Sequence, residues 1–468
     1  MQLHRSLTRL DACSLLISCI VGSGIFVTPG LILSEVGGAP GVLLLCFAVG
    51  SVVGGCSGFL YAELACLLPS AGGDYTYIKT AFGESLAFSY SFCMFFVRAP
   101  GAHAFNALTL ARYILPTIGA IISGFDTELG DNALLEKTIA LSSILLVVVL
   151  NCFRLQVVSR MMNALAALKL LLVAFLAFVM VMTLARSTEV LRSNFSAPFR
   201  GANADGLGVA MVTVMWSCAG YGNIAFMVEE MADPMRDIGP SILMTCAAVS
   251  GIIFSSLMSY FAVLPIPQIE KSTAIAMDAS RGVAGDSGAA FVAFLIAFSI
   301  VGSNFGATMA NGRFVYATAR DGQFPKFLTR MSKDSVPIWS VLAYGIWCMV
   351  LASLPGATLS NLLMYLGGVA WFFDVIVVLA LVRLRWTMPM SERPFRMPLY
   401  PLPALILISV GAYMCVSALI LHPVSAGTGM AFVVVSFPIH RFIVRKGTDD
   451  GCACPTATVD TESTPLLK

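Results

Sequence analysis

Long stretches without a charged residue are the feature that most constrains how this chain can fold. No Asp, Glu, Lys or Arg occurs from Ala12 to Ser34 or from Val36 to Ala62. Each run is as long as the roughly 20 apolar residues that an α-helix needs to cross a bilayer. Backbone groups in lipid must be satisfied within the chain, which favours helices. The two runs therefore predict two successive membrane-spanning helices.

The rest of the chain continues this pattern and predicts about twelve spans in all. Hydrophobic residues make up 58% of the 468 residues and charged residues only 12%, which is about half the charge of a soluble domain. This composition argues against a disordered chain and a cytosolic enzyme, and the net charge of +2 offers no field for nucleic acid. Later spans are predicted near 86–115, 138–153, 158–184, 207–228, 240–264, 288–312, 336–354, 361–382, 403–421 and 426–443.

The positions of Lys and Arg predict how these spans are oriented. With a cytosolic N-terminus, the tails and inner loops hold nineteen Lys and Arg residues, and the outer loops hold six. Cytosolic loops carry the excess of these residues, so both termini are predicted to face the cytosol. No cleavable signal peptide is expected, because the first apolar run is long and lacks a small-residue cleavage pattern before its glycines.

Two predicted spans are interrupted near mid-depth. The first contains Gly22-Ser23-Gly24, and the sixth contains WSCAGYGN at residues 216–223. Backbone that opens at lipid depth must face protein or a cavity. Either cluster alone could instead serve close helix packing. Paired breaks in the first members of two five-helix repeats, however, are typical of a transporter's substrate site at mid-membrane.

Several short motifs resemble one protein family. They occur in the family's order, and the similarity runs from about residue 10 to residue 440. The family is that of the L-type amino acid transporters, the light chains of heteromeric transporters in the amino acid, polyamine and organocation superfamily. The motifs are VGSGIFVTPG at 21–30, YAEL at 61–64, PSAGGDY at 69–75, EEMADP at 229–234, ARDGQFP at 319–325 and ERPF at 392–395.

The resemblance implies an all-α membrane protein of about twelve helices with a 5+5 inverted-repeat core. A substrate amino acid would lie between helices one and six, and the core would rock around it. No cofactor is implied. The implied regions are a cytosolic N-terminal segment at 1–11, a transport core at 12–382, helices eleven and twelve at 383–443 and a cytosolic tail at 444–468.

The backbone at the two breaks suits a zwitterion. The amides of Gly22, Ser23 and Gly24 would offer unpaired donors and the positive end of a half-helix dipole to a carboxylate. Carbonyls freed by the breaks could accept the ammonium group, so both ends of an amino acid would be satisfied. These carbonyls are expected near Ile20, Val21, Trp216 and Ser217.

Side chains near the breaks are expected to shape the substrate pocket. Trp216 falls where the family has an aromatic gate, with core packing as the alternative. Ala219 matches a position where relatives for cationic substrates carry an aspartate, and without that partner a buried cationic side chain is costly. Tyr221 replaces the tryptophan usual in the family's large-neutral importers. Trp371, in the tenth helix, is a further candidate wall or a core residue.

Charged residues within spans require a reason, because lipid solvates them poorly. By the resemblance, Lys169 matches a fifth-helix lysine whose ammonium replaces sodium in sodium-independent relatives. Arg98 is expected either to line the inner cavity or to pair with Glu63 or Asp74. Asp374 is expected to pair with Arg383 or to hydrogen-bond between helices.

The function predicted from these features is sodium-independent transport of neutral L-amino acids, by alternating access and by exchange. A proton-coupled amino acid permease is the main alternative, and a channel or a membrane-embedded enzyme is a weaker one. The four histidines lie far apart and no metal-ligand spacing is present, so neither catalytic residues nor a metal site are predicted.

Membrane lipid, the amino acid substrate and a heavy chain are the predicted partners. Light chains of the family usually join a single-pass glycoprotein heavy chain through a cysteine between helices three and four. That loop, Pro116 to Lys137, contains no cysteine, and Cys152 is predicted on the cytosolic side. A heavy chain would therefore associate without an intermolecular disulfide.

Two further motifs concern modification and location. Asn194-Phe195-Ser196 fits an N-glycosylation acceptor on the predicted outer side. The tail sequence ESTPLL at 462–467 resembles an acidic dileucine sorting signal. Because such short motifs are frequent by chance, the plasma membrane is favoured over the endolysosomal membrane.

Overall fold

The computed structural model is built from helices. It describes residues 8–444, and every regular element in that part of the chain is helical. The sorting motif at 462–467 and nearly all of the predicted tail therefore lie outside the described residues. Also outside them are residues 23, 71, 122–132, 154, 227, 229–230, 273, 333–335, 355–358 and 391–392.

The helices follow one another along the chain with short connections. π-helical turns cover Met94–Arg98 and His440–Val444, and 3₁₀ turns cover Tyr221–Phe226 and Lys326–Thr329. The α-helices are α1 (Arg9–Ile20), α2 (Gly24–Glu35), α3 (Pro40–Leu67), α4 (Asp74–Phe82), α5 (Glu84–Cys93), α6 (Ala99–Ile121), α7 (Ala133–Leu150), α8 (Leu155–Arg186), α9 (Glu189–Asn194), α10 (Leu207–Cys218), α11 (Pro234–Val263), α12 (Ile266–Lys271), α13 (Ile275–Arg320), α14 (Ile338–Ser353), α15 (Leu359–Thr387), α16 (Leu402–Leu421) and α17 (Pro423–Ile439).

All twelve predicted spans contain helix. Among the described residues, nine helical segments are long and apolar enough to cross a membrane, and α14 is a shorter apolar helix. The spans predicted at 86–115 and 138–153 fall on α5 to α6 and on α7. The prediction of an all-α, multi-span membrane protein is confirmed, while the inverted repeat and the region boundaries stay predictions.

A row of glycines on α3 brings this helix close to the sixth span. Gly50, Gly54 and Gly58 recur every four residues and so share one face. A Cβ on Gly50 would lie 2.5 Å from Val214, and one on Gly54 would lie 3.1 Å from the Tyr221 ring. Such small residues allow close backbone approach in membranes, and here they fix the position of the second break.

The predicted glycosylation of Asn194 is wrong for this fold. Asn194 ends α9 and is 5% exposed. Its Nδ2 donates to the carbonyls of Phe261 and Leu264 at 2.9 Å each, and its Oδ1 accepts from the amide of Ile266 at 3.2 Å. Because this amide side chain closes the end of α11, it is not available to a glycan.

Candidate functional site

The first span is interrupted between α1 and α2. α1 ends at Ile20 and α2 begins at Gly24, with non-helical backbone at Val21 and Gly22, while Ser23 lies outside the described residues. The amide of Gly22 donates to the carbonyl of Ile20 at 2.9 Å, so the chain turns tightly. The first amides of α2 have no acceptor within their own helix, and they form its positive end.

The sixth span is interrupted after α10. The helix ends at Cys218, and Ala219 is extended with φ of −83° and ψ of 160°. Gly220 has φ of +129°, which side-chain-bearing residues rarely adopt, so this turn requires glycine. Asn223 holds the turn by donating its backbone amide and its Nδ2 to the Gly220 carbonyl, at 3.1 and 2.9 Å.

The two breaks contact each other directly. A Cβ on Gly24 would lie 2.7 Å from Ser217 Oγ, and a Cβ on Gly220 would lie 2.9 Å from Ile20 Cγ1. The hydroxyl oxygens of Thr28 and Ser217 are 3.0 Å apart and form a hydrogen bond between α2 and α10. Glycine at these positions is therefore explained by close approach of the two spans.

A cavity lies where the breaks meet. Val21 and Ser217 are buried but are not among its lining residues in the described part of the chain. Ala219 is exposed and lines the cavity, and its side chain carries no acidic group. The predicted site residues that line the cavity are Ile20, Gly22, Gly24, Trp216, Ala219, Tyr221 and Trp371.

The cavity walls are aromatic and amide-bearing. The Trp216 ring meets Phe105 of α6 edge-on, with centroids 5.3 Å apart. Asn106 Nδ2 donates to Asn304 Oδ1 at 3.0 Å, and both residues line the cavity. No cluster of three His, Cys, Asp or Glu side chains that could hold a metal ion is found among the described residues. The walls are suited to binding an organic molecule through apolar contact and hydrogen bonds.

Lys169 fastens the end of α1. It extends from α8, is 1% exposed, and does not line the cavity. Its Nζ donates to the carbonyls of Ser18 and Val21 at 2.6 Å each. These carbonyls lie at the end of α1, where no further turn of helix can satisfy them. The ammonium group therefore closes the broken end of the first half-helix.

Two serines of α13 complete this cluster around the end of α1. Ser299 Oγ donates to the Val21 carbonyl at 3.4 Å, and Ser303 Oγ donates to the Cys19 carbonyl at 3.3 Å. Sequence reasoning missed both residues. Their spacing of four within the predicted span at 288–312 puts them on one helix face, which was the available signal.

The carbonyls of Ile20 and Val21, which were expected to bind an ammonium group, already accept hydrogen bonds from the chain itself. The Ile20 carbonyl accepts from the Gly22 amide, and the Val21 carbonyl accepts from Lys169. The prediction of an unpaired Gly22 amide is therefore wrong. Ammonium binding by these carbonyls stays a prediction, because a carbonyl oxygen can accept two hydrogen bonds. The tight turn pairs the Gly22 amide with the Ile20 carbonyl, and Lys169 provides one donor for the Val21 carbonyl.

Arg98 lines the cavity, but its partner is neither of those predicted. Its Nη1 lies 2.8 Å from Asp374 Oδ1 and its Nη2 lies 3.4 Å from Oδ2, so Asp374 does not pair with Arg383. Glu63 is bound instead by Arg385, with Nη2 to Oε2 at 2.6 Å. α15 supplies both Asp374 and Arg385, so its packing against the second and third spans decides these pairs.

Comparison with known proteins agrees with this architecture. The amino acid permease family matches residues 7–439. The human b(0,+)-type amino acid transporter 1 is 26% identical over 411 residues, which cover 87% of this chain and 82% of the relative. The human cystine/glutamate transporter is 28% identical over 447 residues, which cover 95% and 86%. The rat large neutral amino acids transporter small subunit 2 is 26% identical over 447 residues, which cover 94% and 80%.

Proposed function

This chain belongs to the amino acid permease family and is an amino acid transporter, and on that premise we propose that it exchanges neutral L-amino acids without sodium. The observation that carries the proposal is the cavity between the two helix breaks. It is lined by backbone from both breaks and by Trp216 and Trp371. A zwitterion fits between the positive end of α2 and the extended backbone at Ala219. Alternating access would then open this cavity to each side in turn.

The proposed independence of transport from sodium is supported by Lys169. In a sodium-coupled carrier, backbone carbonyls at an unwound helix coordinate the ion. Here the carbonyls of Ser18 and Val21 are 2.6 Å from an ammonium group that the chain itself supplies. A positive charge is therefore present without any ion from solution.

Exchange can be tested with the purified protein in liposomes. Liposomes preloaded with unlabelled leucine should take up labelled leucine faster than empty ones, because the return of a loaded carrier avoids the step of returning empty. A channel or a membrane enzyme would not respond to preloading. Equal initial rates in loaded and empty liposomes would contradict exchange, and absence of any uptake across a panel of neutral amino acids would contradict the proposed function.

Selectivity for neutral side chains is a separate expectation. Ala219 offers no counter-ion at the second break, Arg98 already engages Asp374, and the buried Asp74 carboxyl is bound by the hydroxyls of Tyr61 and Tyr90. A buried cationic side chain without a partner is costly, so arginine should compete at least about tenfold less well than leucine for labelled leucine uptake. Inhibition by arginine at concentrations comparable to leucine would refute this. A variant with Ala219→Asp should shift the competition towards arginine.

A proton-coupled permease is the second candidate function. It is supported by one observation, a buried carboxyl at Asp74 that borders the cavity. An exchanger can also depend on pH, so pH dependence of exchange does not distinguish the two candidates. Uptake of leucine into empty liposomes driven by an inward proton gradient alone would favour this candidate over an exchanger.

We also propose a heavy-chain partner, bound without a disulfide, at the plasma membrane with both termini in the cytosol. One relative, the rat large neutral amino acids transporter small subunit 2, is named as a subunit of a larger transporter. The eleven cysteines in the described residues are free, and none lies in the sequence from Pro116 to Lys137. On a denaturing gel without reductant, the chain should run at its own 49.7 kDa mass. A heavier band that reductant removes, and that is lost on mutating a cysteine of this chain, would contradict the proposal.

A further inference from the structure

A buried carboxyl group stands beside the cavity at the start of α4. Asp74 lies between the second and third spans, is 3% exposed, and is one of the residues that line the cavity. Its Oδ2 accepts hydrogen bonds from the hydroxyls of Tyr61 at 3.2 Å and Tyr90 at 3.0 Å. Its Oδ1 is buried and has no hydrogen-bond partner within the described part of the chain. An unpaired carboxylate oxygen in such a place is costly.

The cations near Asp74 are engaged elsewhere. Arg98 faces it from the third span but is held by Asp374 of α15. On α4 itself, Lys79 is paired with Asp321, and the neighbouring Tyr77 is neutral. Apart from these groups, the titratable side chains that face Asp74 within residues the structure describes are the phenols of Tyr61 on α3 and Tyr90 on α5. Two carboxyls therefore share one guanidinium at this end of the cavity, so ionised Asp74 adds an unbalanced negative charge.

The two tyrosines connect the Asp74 carboxyl to the second helix break and to α13 and α15. The Tyr61 ring lies against Gly222 in the second break, where a Cβ would be 2.8 Å from Tyr61 Cζ. The Tyr90 ring packs edge-on against Phe314 of α13 and Phe373 of α15, with centroids 5.9 and 5.4 Å away. A change in the charge of Asp74 changes the strength of both tyrosine hydrogen bonds, since charge-assisted bonds are stronger.

We propose that Asp74 is a proton-binding site, and that the carrier moves between its two open states with this carboxyl protonated. The proton comes from water in the cavity, binds a carboxylate oxygen and returns to water when the cavity reopens. In the closed carrier, water is excluded and an unbalanced charge is most costly, so the neutral form crosses most easily. This inference rests on the proposed transport function and adds a coupled proton to it.

The sign of the expected pH dependence follows from burial. Burial raises the pKa of the Asp74 carboxyl to about 6, against the opposing effect of the Arg98 charge and the two tyrosine hydrogen bonds. The group is thus mostly protonated below this pH and mostly ionised above it. Exchange should be faster in mildly acidic buffer than in neutral buffer when both sides of the membrane have the same pH.

Protonation can be measured without any transport. Infrared difference spectra of the protein in liposomes, recorded without amino acid while the pH is lowered, should gain the stretching band of a protonated buried carboxyl. The band should be absent from Asp74→Asn and present in the control Glu84→Gln, whose side chain is 65% exposed. A band that persists in Asp74→Asn, or no band in the parent, would overturn the site whether or not the protein transports amino acids.

The coupling between protonation of Asp74 and transport is then measured by leucine exchange at equal pH on both sides of the membrane. Between about pH 5.5 and about pH 7.5 the parent and Glu84→Gln should slow by at least about fivefold, whereas Asp74→Asn should stay near the acidic rate of the parent. A flat parent profile, or the same slowing in Asp74→Asn, would overturn the coupling. Absence of exchange in the parent as well as in both variants, with the infrared band present in the parent, would instead count against the proposed function.

A second variant, Tyr90→Phe, tests the same site if Asp74→Asn does not fold. Tyr90→Phe removes one hydrogen bond that favours the ionised carboxyl. The midpoint of the infrared titration, and that of the exchange profile, should therefore move to higher pH. An unchanged midpoint in both measurements would overturn the assignment of the titration to Asp74.

Discussion

Replacement of Lys169 by alanine is expected to abolish amino acid uptake while the protein still reaches the membrane. The substitution removes the ammonium group from the carbonyls of Ser18 and Val21, which are 2.6 Å from it. The Ser18 carbonyl would lose the lysine as its donor, and the Val21 carbonyl would keep only Ser299 Oγ at 3.4 Å. A buried acceptor left unpaired costs about 1–3 kcal/mol, and about 1.4 kcal/mol corresponds to a tenfold change in population. The end of α1 would no longer be held against α8, so leucine uptake into liposomes should fall by at least about tenfold.

The parent protein should transport equally well when choline replaces sodium. In choline the Lys169→Ala variant should stay inactive, because neither an ion nor an ammonium group then holds the carbonyls of Ser18 and Val21. Lys326→Ala is the matched control, since that lysine is exposed on the 3₁₀ turn Lys326–Thr329. Full activity of Lys169→Ala, or strict dependence of the parent on sodium, would refute the role assigned to Lys169.

Replacement of Trp216 by alanine is the second change with a large expected effect. Trp216 lines the cavity next to the break after α10, and its ring rests edge-on against Phe105. An aromatic pair of this kind contributes about 0.5–1.5 kcal/mol beyond the area it buries. Loss of the ring removes this contact and one wall of the cavity. The uptake rate should therefore fall by about tenfold with surface expression retained.

Trp386→Ala serves as the control for this change, because Trp386 is 77% exposed at the end of α15 and does not line the cavity. Phe105→Ala should reproduce part of the loss, since it removes the partner of Trp216 without opening the wall directly. Near-normal uptake by Trp216→Ala would mean that this tryptophan serves packing alone.

The spans and both helix breaks could be predicted from sequence for a physical reason. Lipid requires long apolar helices, so each span appears as a charge-free run along the chain. The breaks at Gly22 and Gly220 are visible because glycine clusters recur at mid-depth in both the first and the sixth span. Gly220 also takes a φ of +129° that other residues rarely adopt. These are local properties of the chain, and local properties can be read directly.

The partners of side chains could not be predicted in the same way. Arg98 and Asp374 are 276 positions apart, and their ion pair depends on how α15 packs beside the third span. The same holds for Asn194, whose motif fits glycosylation but whose side chain caps α11. A short motif does not encode which helix covers it. Packing between distant segments therefore decided each of these corrections.

The tether of Lys169 to α8 has a thermodynamic consequence for the proposed exchanger. A dissolved ion occupies its site only as far as its concentration on that side allows, whereas a tethered group has an effective concentration that the chain alone sets. The Lys169 ammonium group is thus bound at the end of α1 whichever side of the membrane the cavity opens to. A sodium gradient can then perform no work on the amino acid, and the ratio of amino acids on the two sides must supply the driving force.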